Sequence, residues 1–319
     1  PAKVGASSGK SRINPSSRSP LITPSPAPAS QRHSRTDSRQ NSPGPTPAPT
    51  YTRIDDLAGN QTFQTATLAF TVSGNSKPAN HSTNNFGSGS VITYNATNDR
   101  YTFTSTGGSA QTFFPSDIDP VNSDGDTIHW DKSLNGSRHI ATLTVPVSTT
   151  GIKLSYTRLG TWNQTDTNSG VQQVEYFIAG IPTVTSDVPT TGTANYNARI
   201  YGNVMLGDTA YSLSFLDSSM DFDVDFASGG INTALTFIGS GSSGPNSGTN
   251  FGTANGTGMI TAGGPGFSGT FNGGVATGGT FSGAFFGPQA AEFGLAYFVT
   301  GNDFLAQGLA AGIKTELLP

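Results

Sequence analysis

The chain has 319 residues, 41 of them glycine, with 10% aromatic and only 11% charged side chains and a formal net charge of −4. Cysteine is absent, which excludes a disulfide framework, a thiolate nucleophile and any cysteine-held metal. No run of about 18 apolar residues occurs, which excludes a membrane-spanning helix.

Charge is unevenly spread. Before Tyr51 stand Lys3, Lys10, Arg12, Arg18, Arg32, Arg35 and Arg39 against the single acid Asp37, a net of +6 that leaves −10 for the remainder. No aromatic interleaves these cations as a stacking surface for nucleic acid would need, so the segment reads as a solvated tether. The acidic remainder argues against nucleic acid as a partner. Residues 1–50 hold hardly an apolar side chain and are expected to be disordered, with Ser42 to Thr50 (SPGPTPAPT) as an extended spacer.

Order is expected from Tyr51. A first β-rich domain, residues 51–187, takes strands at Thr65–Val72, Val91–Tyr94, Arg100–Thr104, Thr112–Phe114, His139–Val147, Lys153–Arg158 and Val171–Ala179. Asn95 to Asp99 supplies a hairpin turn. Two loops are expected between them: a polar one from Ser73 to Gly89 with Lys77, His81 and Phe86, and an acid-rich one from Asp117 to Asp131 with His129 and Trp130.

Residues 188–319 form the second domain, with strands at Ala194–Val204, Tyr211–Phe215, Met220–Phe226, Ile231–Ile238, Phe267–Phe271, Thr280–Phe286, Phe293–Val299 and Leu309–Lys314. The unit Phe-Ser-Gly-x-Phe occurs twice, at Phe267 and at Phe281. A strand places both rings of each copy on one face with a glycine between them, as a tightly curved barrel requires. Eight such strands close a barrel filled by its own side chains. In Met220–Phe226 the rings face inward, and Asp221, Asp223 and Asp225 form the wet outer face of the strand. Gly239 to Asn255, nearly all Gly, Ser, Thr and Asn, is expected to be a mobile loop. The fold class is therefore all-β.

Catalytic patterns are weak. The four histidines are His33, His81, His129 and His139, and no nucleophile elbow accompanies them. Glu175 and Glu292 are far apart in sequence for a glycosidase pair. Asp117, Asp119, Asp124 and Asp126 offer oxygen ligands, but Pro120 falls where a calcium loop would place its first ligand. No metal site and no cofactor are expected. A haem iron could meet His81 or His129. The aromatic residues Phe86, Trp130, Tyr156 and Trp162 lie on or beside first-domain loops, where such rings supply binding energy. Core filling is their alternative, and for Trp162 the two readings balance.

Four motifs follow one another in order: Gly180-Ile181-Pro182-Thr183, Pro189 to Tyr196 (PTTGTANY), Asp223-Val224-Asp225-Phe226, and Phe285 to Glu292 (FFGPQAAE). In this order they resemble the transferrin-binding-protein-B-like family, from about Tyr51 onward. One departure is Leu295 after Gly294, where the family carries a second small residue. The resemblance implies a β-rich handle followed by an eight-stranded barrel. It also implies a surface-exposed outer-membrane (or secreted) protein that captures an iron-carrier protein or haem, binding without chemistry. A TonB-dependent outer-membrane transporter would be its partner. A lipid anchor ahead of the tether is inferred from kinship, because the chain carries no cysteine. The alternative is a surface adhesin, coat or immune-evasion protein with no part in iron uptake. In the last motif, Gly287-Pro288 is expected to turn the chain and Glu292 to cap backbone N–H groups.

Overall fold

The computed structural model describes residues 47–74, 77–207, 209–240 and 247–315. The expected tether lies outside them, except for residues 47–50, which carry no regular structure. Among the described residues no helix is long and apolar enough to cross a membrane.

The first ten strands are β1 (Gln61–Gln64), β2 (Ala66–Ser73), β3 (Ala79–Asn84), β4 (Val91–Asn95), β5 (Arg100–Thr104), β6 (Ala110–Phe113), β7 (Thr127–Leu134), β8 (Ser137–Thr144), β9 (Thr157–Asp166) and β10 (Val171–Gly180). They form two antiparallel sheets, ordered β1-β4-β5-β6 and β3-β2-β10-β9-β8-β7. Alternation gives the larger sheet two different faces. One carries Trp130, Ala141, Trp162, Phe177 and Ala179, which pack with Ile92, Phe103 and Phe113 of the smaller sheet. The other carries Ala66, Leu68, Phe70, Leu159, Val174 and Ile178, and packs with residues of the barrel's outer wall.

The remaining strands are β11 (Thr193–Leu206), β12 (Thr209–Leu213), β13 (Ser219–Asp225), β14 (Gly230–Ser240), β15 (Ser247–Ile260), β16 (Gly266–Gly274), β17 (Gly278–Phe286), β18 (Glu292–Gly301) and β19 (Phe304–Lys314). Each pairs with the next around the ring, and β19 closes on β11. The two short strands share one place: β12 pairs with the end of β11 and β13 with its start, and both pair with β14. Counted as staves, the barrel has eight. Phe267, Phe271, Phe281 and Phe285 are all buried in its interior cluster with Phe222 and Phe293.

The count of eight conceals a correction. Tyr211–Phe215 is half of a broken stave, while the expected loop Gly239–Asn255 largely becomes β15. The glycines of β15 make that possible. A Cβ on Gly256 would stand 2.8 Å from the Phe271 ring, so the missing side chain is room for a ring from the next strand. Residues 241–246 of the expected loop lie outside the described residues.

Parts of two further expected loops are strand: Ala79–Asn84 in the first and the stretch from Thr127 in the second. β3 adds to the edge of β2 within the polar stretch, and β7 begins at the end of the acid-rich stretch. Asn135 and Gly136, both at positive φ (51° and 79°), turn β7 into β8. Such a pair is a strong hairpin signal, and it was the clue to β7.

Candidate functional site

The motif residues build the joint between the two parts. Glu292, buried at the start of β18, accepts the backbone N–H of Ser155 (2.6 Å) and of Tyr156 (2.9 Å) and the Thr157 hydroxyl (2.9 Å). Burial pushes its carboxyl up, opposed by these three donors. Gly287 takes a φ of 71°, where a Cβ would stand 2.4 Å from the Tyr156 ring. Phe86 meets Phe286 edge to face at 5.9 Å. Tyr156 and Phe86 therefore sit in the seam, where each makes structural contacts.

His81 is not in a loop. It lies on β3, stacked on Phe298 at 3.8 Å and on Phe70 at 5.5 Å, with Nε2 2.8 Å from Gln307 Oε1. Burial depresses its pKa. An iron would have to displace Gln307 and part the two rings to reach it.

Trp130 and Trp162 are core residues, 2% and 4% exposed. Trp130 was expected on a loop, but β7 turns its ring between the two sheets, 5.2 Å from Tyr101 and 5.9 Å from Phe113. His129, one residue away, points to the opposite face and lines a cleft beside the barrel. The structure thus brings His81, Phe86 and Tyr156 to the seam, and separates Trp130 and Trp162 from them by a sheet.

Trp130 still supports a surface. The stretch Phe114–Asp126 crosses over it, with Ile118 bridged to Trp130. Three apolar side chains stand in water there: Phe114 (40% exposed), Ile118 (37%) and Val121 (87%). The backbone beneath them is held at many points. Asp117 Oδ2 accepts the Phe114 N–H at 2.9 Å and Lys132 Nζ at 3.1 Å, and Lys132 also donates to the Thr112 carbonyl at 2.8 Å. Asp119 accepts the Val121 N–H at 2.9 Å, and its backbone N–H donates to the His129 carbonyl at 2.8 Å. The side-chain amide of Asn122 and the Val121 N–H hold the Asp119 carboxyl below its usual range. Asp124 Oδ1 accepts the N–H groups of Asp126 and Thr127, both at 2.7 Å.

Apolar anchors on a fixed acidic loop suit a protein surface with basic groups around an apolar centre. Little ordering entropy remains to be lost on binding. Phe114, Ile118 and Val121 were missed because nothing in the sequence says which side of β7 the loop covers. No group of three or more potential metal ligands occurs among the described residues.

No family model matches the chain. Among curated proteins it is 30% identical to transferrin-binding protein B of Haemophilus influenzae over 82 residues, which is 23% of this chain and 13% of that protein. Among solved structures it is similar to transferrin-binding protein B of Neisseria meningitidis, at 20% identity and a TM-score of 0.43, over 79% of this chain and 44% of that one. It is also similar to HpuA of Kingella denitrificans, solved with human haemoglobin, at 17% identity and a TM-score of 0.39. That match covers 84% of this chain and 90% of the other. TM-scores below 0.5 transfer no residue role. The chain spans less than half of the Neisseria protein. With the motif order and the handle-and-barrel architecture, the likeness to the Haemophilus protein gives the conclusion that this chain is transferrin-binding-protein-B-like.

Proposed function

We propose that the chain is a surface-exposed binding protein that captures an iron-carrier protein through its handle. Binding is its whole mechanism; no bond is made or broken. The observation that carries this reading is the loop Phe114–Asp126, where exposed Phe114, Ile118 and Val121 stand on a backbone tied down by carboxylates. The name of the Haemophilus relative supports transferrin as one carrier to test. The outer-membrane location and handover to a TonB-dependent transporter belong to the same proposal. The handle extends from Tyr51 to about residue 187 and the barrel from there onward.

Haem itself is a second reading, favoured by one observation. The His129 ring makes no hydrogen bond among the described residues and lines a cleft. A ring nitrogen in that position is open to an iron.

Immobilised full chain probed with transferrin, lactoferrin, haemoglobin and haemin separates these. A carrier protein is expected to bind at micromolar level or better, and Val121→Asp with Phe114→Ala is expected to abolish that binding. A Soret shift with haemin that is lost in His129→Ala would favour the second reading. Binding of none of the four removes iron capture and leaves the adhesin or coat protein.

A further inference from the structure

The barrel-facing side of the six-stranded sheet changes character across its width. Over β2 and β10 it is apolar and closed against the barrel wall. Beyond Leu159, β9 and β8 carry Thr161, Asn163 and Thr142 beside Ile140 on the same face. There a cleft of about 790 Å³ lies between sheet and barrel. Small-molecule sites occupy roughly 300–1,000 Å³. The barrel contributes Asn203, Tyr211 and Gln307.

None of the described residues lining the cleft is Asp, Glu, Lys or Arg. Its polar groups are amides, hydroxyls and the His129 imidazole, and the amides and hydroxyls are partly paired with one another. Asn163 Nδ2 donates to Gln172 Oε1 at 3.2 Å, Asn203 Nδ2 donates to the Tyr176 hydroxyl at 3.3 Å, and the Thr142 and Thr161 hydroxyls share a bond of 2.8 Å. That arrangement leaves the Gln172 amide N–H groups, the Asn203 carbonyl oxygen and the Tyr211 hydroxyl without partners among the described residues. Each amide side chain offers both a donor and an acceptor. The tyrosines present apolar ring faces with a polar tip.

We propose that this cleft binds a neutral oligosaccharide. Sugar hydroxyls donate and accept at once, and so are matched by amides and hydroxyls rather than by fixed charges. The C–H face of a pyranose ring covers an aromatic face such as that of Tyr211. A charged ligand finds no carboxylate, ammonium or guanidinium partner on these walls, and leaving a charge unpaired in a partly dry cleft is unfavourable. Haem would enter the same cleft through His129, where no lysine or arginine receives its propionates, so the haemin titration of His129→Ala separates it from a sugar. The residues used differ from those of the exposed handle loop, so protein capture and sugar binding stand or fall separately.

The test is a panel of neutral trisaccharides (maltotriose, chitotriose, mannotriose, xylotriose and lacto-N-triose) with sialylated and sulfated counterparts, titrated into the full chain. Saturation-transfer NMR and tyrosine fluorescence are the readouts. At least one neutral member is expected to bind. Tyr211→Ala and Gln172→Leu are each expected to weaken it about tenfold, the loss of one ring contact or one hydrogen bond. Gln172→Leu is close in shape and guards against a folding defect in the first variant. Val121→Asp is expected to leave sugar binding unchanged. Binding of no neutral member, preference for the acidic ones, or affinity unaltered in both cleft variants would overturn the assignment.

Discussion

Glu292 Oε2 accepts the backbone N–H of Tyr156 at 2.9 Å, joining two residues 136 positions apart. The carboxylate sits at the start of a barrel strand, and the amide belongs to the segment that enters β9 of the handle. One side chain therefore satisfies two backbone donors and a hydroxyl where the two parts meet. Gln at this position offers one acceptor oxygen and turns an N–H₂ toward another donor. Glu292→Gln is expected to cost about 2–3 kcal/mol of stability and Glu292→Ala more, because buried donors are left unpaired. Urea denaturation of both variants measures it; a loss below about 0.5 kcal/mol would show the cap to be dispensable.

Ring-and-glycine complementarity in the barrel predicts a sharp contrast between two glycines of β16. A Cβ on Gly269 would stand 2.3 Å from both the Phe281 ring and the Thr257 carbonyl oxygen. On Gly273 the nearest atom is the Asn255 Cβ at 3.4 Å. Gly269→Ala is expected to lower stability by about 2 kcal/mol or more through overpacking. Gly273→Ala is expected to stay within about 0.5 kcal/mol of the parent. Thermal melts of the pair decide it, and equal shifts would mean that the rings are not confined as described.

Arg199 ties the handle to the broken stave. Its guanidinium donates to the carbonyls of Ser148 (3.1 Å), Phe215 (2.5 Å) and Thr149 (3.4 Å), and lies 4.3 Å from the Phe215 ring centre. Arg199→Met keeps much of the packing and removes all three donors. Hydrogen exchange is expected to rise locally at residues 148–152 and 214–218. Unchanged protection there would show that backbone contacts alone hold both loops.

Acid sensitivity should come first from histidine. Burial lowers the pKa of His81 and of His139 from 6.5, with Lys132 adding to the shift of His139. Below 6.5 the unfolded chain takes up protons that the folded rings resist, so stability is full above that value and falls as pH drops through it. Glu175 and Glu292 act in the opposite sense: burial raises both above 4.5, so the folded state takes up their protons first and gains stability as pH falls through that range. The melting temperature is expected to fall between about pH 7 and 5.5. His139→Phe, at a buried site against Trp162, should flatten that fall. An identical pH profile in the variant would assign the sensitivity elsewhere.

Local pattern was enough for the parts of the fold that repeat over short distances. Phe267, Phe271, Phe281 and Phe285 alternate with glycine, and period-two alternation on a strand admits one inward face whatever lies beyond it. The outward row Asp221, Asp223 and Asp225 follows for the same reason and is found on the exposed side of β13. Gly239–Asn255 was misread because a strand that yields space to rings on neighbouring strands contains few apolar residues of its own. Strand β15, which takes up its second half, gives way to neighbouring side chains, since a Cβ on Gly252, Gly256 or Gly258 would collide with Val275, Phe271 or Phe281.

Placement of the chemistry was a different matter. Trp130 and His129 are adjacent, yet one fills the core between two sheets and the other faces the barrel. Choosing between these sides needs the register of β7 against β8 and the knowledge of what packs on each face. His81 became a stacked seam residue only because β3 lies against β2 and the barrel wall brings Phe298 and Gln307 to it, more than 200 residues away in sequence. Composition and alternation alone determined an all-β chain with a ring-filled barrel. Which side chains remain in water to bind anything was decided by contacts between distant segments, because burial belongs to the assembled pair of faces and not to either strand alone.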